Sequence, residues 1–201
     1  MQHQGAGWAL RFSQSGDVVV AKKKKTKGAP SLRLDLACGS NKKDGFTGVD
    51  LHQVEGVDVA HDLRVTPWPW EDGSVEEVNC SHFLEHLSGV ERVGFMNELY
   101  RILAPGAQAT IITPYWNNMR AVQDPSHQWP PVSEGSYLYF NENWRKANGL
   151  EHYLGLTCNF DFAYGYSING EWANRNEEAR AFAVRHYMNV VDDLHVTLTK
   201  V

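Results

Sequence analysis

Two aspartates close two short apolar runs near the start of the chain. Asp35 interrupts Leu32-Arg33-Leu34-Asp35-Leu36, and Asp50 follows Phe46 to Val49. A carboxylate at the tip of a parallel strand can accept two hydrogen bonds from a ribose diol. One at the preceding tip can receive an ammonium or backbone amides. Between the runs lies Ala37-Cys38-Gly39-Ser40-Asn41, small residues in which Gly39 lets backbone approach a ligand closely. Residues 32–50 thus read as half of a nucleoside site. Two later groups set imidazole beside carboxylate. His82-Phe83-Leu84-Glu85-His86 has the H-x-x-E-H spacing of inverted zinc proteases. Asp124-Pro125-Ser126-His127 puts a carboxylate and an imidazole a turn apart, where His127 or Asp124 binds an acceptor or takes its proton, or else Asp124 caps the turn and His127 pins the loop. Asp124 serves as a base only if burial raises its pKa. His86 is a third candidate base.

These residues need elements to position them. A dinucleotide fingerprint requires three spaced glycines and a helix whose N-terminus holds a pyrophosphate. Within residues 37–46 only Gly39 and Gly45 are present, and those ten residues are about the minimum for a crossover with a helix. A cofactor with a nucleoside and no phosphate fits better. The stretch LDLACGSNKKDGFTGVD resembles motifs I and II of class I S-adenosylmethionine (SAM) dependent methyltransferases, most closely the small bacterial and bacteriophage members, with Ala37 where they usually have glycine. Arg33 is the misfit, because central parallel strands normally read apolar.

The resemblance implies a Rossmann-like, doubly wound α/β sheet of seven strands, mostly parallel, with a C-terminal antiparallel pair. It implies SAM as cofactor, held by Asp35, Ala37, Cys38, Gly39, Asn41 and Asp50. Asp62 occupies the position of the acidic residue that receives the adenine amine, with Leu51 and Leu63 covering the ring. Ser81, His82 and Glu85 fall where the methionine end is lined. A third strand is expected over 57–60 and a fourth over 75–80. A helix from Val90 to Leu103 would bury Val90, Val93, Met96, Leu99, Tyr100 and Leu103, ended by Ala104-Pro105-Gly106, and a fifth strand would close at Pro114. Ser88-Gly89-Val90-Glu91 is a capping box, which starts that helix after the histidines, so no metal site is expected and a zinc hydrolase is only a remote alternative. Asp35, Asp50, Asp62, Ser81 and Pro114 then share the carboxyl edge of the sheet, where ligands bind. Residues 115–135 form a long loop, 136–148 a helix, and the tail supplies strands over 159–168 and 194–201 around a helix over 177–188. The bacteriophage-type relatives carry a similar D-P-x-H and a following aromatic pair, here Tyr139-Phe140.

Two hundred and one residues with 42% hydrophobic content suit one core-bearing domain, 30–201, behind an N-terminal extension, 1–29, in which residues 8–21 read as a hairpin. No apolar run reaches membrane length and no signal-peptide core is present, which points to the cytoplasm, for instance that of a bacterial host. Cys38, Cys80 and Cys158 are odd in number and read as free thiols. The net charge is −5, with +5 on the first thirty residues and −10 on the rest. Lys22 to Lys27 lacks interleaved aromatics and reads first as a solvated linker. The alternative is a nucleic-acid accessory protein docking through it, which the acidic body disfavours. Base-methylating signatures are missing: Asn79-Cys80-Ser81-His82 stands where amino methyltransferases carry N/D-P-P-Y, and Cys80 lacks the preceding proline of a cytosine C5 nucleophile. The expected acceptor is therefore an oxygen or nitrogen of a small molecule, glycan or protein. Oligomeric state is left open.

Overall fold

Seven strands form one sheet in the order β3-β2-β1-β4-β5-β7-β6. They are β1 (Leu32–Leu36), β2 (Thr47–Asp50), β3 (Val59–Ala60), β4 (Val75–Ser81), β5 (Leu103–Pro114), β6 (Phe160–Ile168) and β7 (Val191–Lys200). The computed structural model describes residues 32–201, so the expected hairpin and the lysine run lie outside the described residues. The five strands β3 to β5 in that order run parallel, and β7 and β6 add antiparallel pairings. This is the expected seven-stranded α/β sheet. Its core is the apolar strand faces, Leu34, Leu36, Val49, Val78, Cys80, Ile111, Val196 and Leu198, all essentially buried. Order reverses between β1 and β4, the switch point at which open α/β sheets leave a crevice beyond the strand ends.

Among the described residues no helix joins β1 to β2, β2 to β3 or β3 to β4. This accounts for Arg33. Residues 37–46 cross the sheet as turns, so the face carrying Arg33 has no apolar helix over it. The guanidinium lies 5.0 Å from the centre of the Phe46 ring, and Glu77 is 3.8 Å away. At Gly48 a side chain is excluded outright, since a Cβ would stand 2.5 Å from the Gly56 carbonyl oxygen and 2.9 Å from Cys38 Sγ.

Helix α1 (Gly89–Ile102) is the crossover from β4 to β5, and its capping box is formed: Ser88 N–H donates to Glu91 Oε2 at 2.8 Å and Glu91 N–H to Ser88 Oγ at 3.4 Å. Its buried face differs from the expected one. Arg92, Phe95, Met96, Leu99 and Ile102 are buried, whereas Val90 is 79% exposed. The face turns because the loop at 128–130 closes over Arg92, a contact remote in sequence. Nor do Ala104-Pro105-Gly106 form a separating turn. The chain passes from Ile102 directly into β5, and Pro105 and Gly106 are absorbed at a register shift against β4.

Where a β3–β4 helix is missing, Trp68 fills the space. Its ring meets Phe95 edge-on at 5.2 Å, and its Nε1 donates to Leu63 O at 3.1 Å. Glu98 fixes the segment by accepting from Trp68 N (2.8 Å) and from Arg101, which also donates to the Trp68 and Trp70 carbonyls. The Arg101 hydrogen bonds hold the Glu98 carboxyl below its ordinary value, against the opposing effect of burial. A lowered carboxylate pKa favours the fold above the unfolded value of 4.5 and ceases to do so as pH falls through the folded value. Thermal unfolding between pH 7 and pH 4 should therefore show wild type losing its advantage over Glu98→Gln below about pH 4.5. At pH 7 the advantage should be about 2 kcal/mol, the worth of a charge-assisted bond. A constant gap across that range would contradict the assignment.

After β5, residues 134–140 form a 3-10 helix that breaks at Asn141, whose side chain caps α2 (Glu142–Ala147) by accepting from Trp144 N at 2.9 Å. The single helix expected over 136–148 is thus two. Short α3 (Gly170–Ala173) and α4 (Glu177–His186) connect β6 to β7. All three cysteines are free. Cys80 is fully buried and its thiol is pushed well up by burial, as befits a core residue and not a nucleophile. No helix among the described residues is long and apolar enough to cross a membrane.

Candidate functional site

Beyond the carboxyl ends of β1 to β4 opens a cleft of about 540 Å³. It is lined by Ala37 after β1, Asp50, Leu51 and His52 at the end of β2, His61 to Arg64 after β3, and His82, Phe83, His86 and Leu87 after β4. Ala37, Asp50, Leu51, Asp62, Leu63, His82 and His86 are thereby brought together from four sequence segments. His52, His61, Arg64 and Leu87 also line the cleft outside the expected residues, and Phe83 lies within the expected stretch Ser81 to Glu85. They follow their strands by one to six residues, so position after a strand end is the signal the sequence offers.

Asp50 is tied at both oxygens without being used up. Gly39 N–H donates to Oδ2 at 2.9 Å and His52 N–H to Oδ1 at 3.3 Å, which leaves roughly two of its four lone-pair sites for a ligand. The first bond also clamps the 37–41 loop to β2. Asp62 is more heavily engaged: Arg64 donates to it from N, Nε and Nη2 at 2.8–3.0 Å and holds its carboxyl below the usual range, leaving about one site. Leu51 and Leu63 supply apolar lining beside these carboxylates.

Asp35 has a different place. It is 4% exposed and does not line the cleft. Asn79 Nδ2 donates to Oδ1 at 2.6 Å and Lys43 N–H to Oδ2 at 2.7 Å. It receives a backbone amide, as one of the two expectations had it, and the amide belongs to the protein's own loop. Asp35 therefore joins β1, β4 and the 37–46 loop. Cys38, Gly39, Asn41, Ser81 and Glu85 likewise lie outside the lining, in the backbone and side chains behind it.

Two lining residues, Ala37 (φ 54) and His82 (φ 55), adopt left-handed backbone without being glycine. Such residues cost about 1 kcal/mol each and collect at functional sites. The glycine that Ala37 replaces in the resembled motif has a physical reason at this φ.

The HFLEH segment is not helical through its histidines: a 3-10 turn spans Leu84–His86 and α1 begins at Gly89, as the capping box implied. His82 and His86 therefore do not share a helix face, and the inverted-protease geometry is absent. His82 Nδ1 stands 3.3 Å from Glu85 Oε1, and that carboxylate raises the His82 pKa. His86 meets a residue from far along the chain. Its ring is edge-on to His127 at 4.7 Å, and its Nδ1 lies 3.0 Å from Ser126 Oγ. Ser126 Oγ in turn donates to Asp124 Oδ1 at 2.6 Å, which with the Ser126 amide keeps the Asp124 carboxyl below its normal range. Asp124 is thus held ionised and unsuited to act as a neutral-pH base. His127 Nδ1 faces the Ala121 carbonyl at 3.2 Å. Of the three candidate bases, only His86 lines the cleft.

No protein-family model and no curated protein sequence matches the chain. Among solved structures, it is similar to a SAM dependent methyltransferase from Archaeoglobus fulgidus at a TM-score of 0.59 and 19% sequence identity, covering 85% of this chain and 86% of that one. A second, an S-adenosylmethionine dependent methyltransferase from Mesorhizobium loti, aligns at a TM-score of 0.50 and 15% identity over 85% of this chain and 91% of that one. At these identities the likeness is one of architecture, and the chain has the seven-stranded α/β methyltransferase fold.

Proposed function

We propose that the protein is a SAM-dependent methyltransferase of the small bacterial and bacteriophage kind, working in the cytoplasm on an oxygen or nitrogen of a small molecule, glycan or protein. The observation that carries the reading is Asp50. It stands at the tip of β2 in a cleft of ligand size, with acceptor capacity left for a diol and Leu51 and Leu63 beside it. The relatives of similar fold are named as SAM-dependent enzymes, which supports the cofactor. The bound cofactor supplies a methyl group already activated by its sulfonium. The chain's own part is geometry: the Asp50 and Asp62 side holds the nucleoside, and the His82–Leu87 side holds the reacting end. His86, which lines the cleft at that end, would take the acceptor's proton. With Ser126 accepting from its Nδ1–H, His86 keeps Nε2 free for that proton. Calorimetric titration of S-adenosylhomocysteine into the full chain should show binding in the micromolar range at one site. Absence of heat with folded protein would overturn the assignment.

A further inference from the structure

Glu85, His86 and His127 each offer a ligand atom within 4.8 Å of the other two, although 41 sequence positions separate His86 from His127. We propose that they form a binding site for one divalent ion of the zinc class at the reacting end of the cleft. The inference deepens the methyltransferase reading and rests on it for the ion's role, though not for the ion's binding.

The surroundings set the two imidazoles as ligands. Ser126 Oγ has one proton, and it is spent on Asp124 Oδ1 at 2.6 Å, so toward His86 the hydroxyl can only accept, and His86 Nδ1 carries the hydrogen. His127 Nδ1 faces the Ala121 carbonyl, an obligate acceptor, and must also carry its hydrogen. In each neutral ring the hydrogen thus sits on Nδ1 and the lone pair on Nε2, with Asp124 Oδ2 standing 3.9 Å from His127 Nε2. Fixing one ring nitrogen by a carbonyl or by a hydroxyl–carboxylate relay is the second shell that metal-bound histidines require. The third donor is equally prepared. Glu85 is 4% exposed, its Oε1 faces His82, and its Oε2 is buried without any hydrogen-bond partner. A buried carboxylate oxygen with no donor is costly, and a cation relieves that cost.

Two imidazoles and one carboxylate suit zinc or its borderline neighbours, whereas magnesium and calcium prefer all-oxygen shells. Three protein ligands leave a position open, the pattern of catalytic and not structural sites. Because His86 also lines the cleft, the ion sits at its edge, where an acceptor oxygen fills the open position and is made more acidic. The ion then takes over the proton-releasing work assigned above to the free His86 imidazole.

Cobalt(II), a spectroscopic substitute for zinc, tests this on the full chain. Its visible ligand-field bands should saturate at one equivalent, and zinc should displace it. His127→Ala should weaken cobalt binding at least tenfold, and Ser126→Ala, which frees the His86 tautomer, should weaken it 10–100-fold. Equal cobalt binding by wild type and His127→Ala, or no bands at all, would overturn the site. S-adenosylhomocysteine is titrated into the same samples: its binding without cobalt bands defeats the ion and leaves the cofactor reading intact, while cobalt bands without its binding do the reverse.

Discussion

Asp50→Ala is expected to weaken S-adenosylhomocysteine binding by about 100-fold or more. A ribose diol would give the carboxylate two charge-assisted hydrogen bonds, each worth about 1.5–3 kcal/mol, and every 1.4 kcal/mol is a factor of ten. The same change removes the acceptor for Gly39 N–H, so the loop that the ligand must approach also loses its clamp to β2. Asp50→Asn separates these effects. It keeps one oxygen, which can still receive Gly39 N–H, and gives up the charge and the second acceptor, so a loss nearer tenfold is expected. Urea unfolding of both variants shows whether the fold persists. Affinity unchanged from wild type in a folded Asp50→Ala protein would remove the basis for placing a nucleoside at β2.

Arg92→Met should lower stability by about 3 kcal/mol. Arg92 is 8% exposed, and its guanidinium donates to Leu84 O (3.1 Å), Gln128 O (3.1 Å) and Pro130 O (2.6 Å), with Glu85 O at 3.5 Å. One side chain thereby ties the turn that carries Glu85 and His86 to the loop just after His127. Methionine keeps the packing of the stem but leaves these buried carbonyls without their donor, the unsatisfied-acceptor case in which truncation is costliest. The urea midpoint should fall with the slope unchanged, and the S-adenosylhomocysteine affinity should fall with it, since His86 and Leu87 line the cleft. A midpoint shift worth less than about 0.5 kcal/mol would show that the loop is held by other contacts, such as Gln128 N–H to Glu85 O at 2.8 Å.

Much of this architecture is legible in one dimension because its signals are local. The alternation of Leu32, Leu34 and Leu36 and the Ser88–Glu91 capping box each report on neighbours a few positions away. Boundaries came within about three residues, as for β7 at Val191 where Leu194 was expected. The errors have a common cause. Helical periodicity puts Val90 on the buried face of α1 and leaves Arg92 out, because what buries Arg92 is the carbonyls of residues 128 and 130. Arg33 looked wrong for a central strand until the helix-free crossover put Phe46 and Glu77 beside it.

The sequence by itself, through the family its motifs resemble, determined a seven-stranded sheet with a C-terminal antiparallel pair and the gathering of Asp50, Asp62 and His82 at one edge, while the strand order came from the structure. Strand period and strand-end position are local properties, and parallel connection carries every strand tip to the same side. Only the tertiary structure decided which carboxylates keep free lone pairs. It spends Asp35 on Asn79 and the Lys43 amide, leaves Asp50 half open, leaves one oxygen of Glu85 without a partner, and sets Glu85 and His86 beside His127 from a distant segment. Hydrogen-bond saturation depends on what the folded chain brings within 3 Å, and no spacing along the sequence records that.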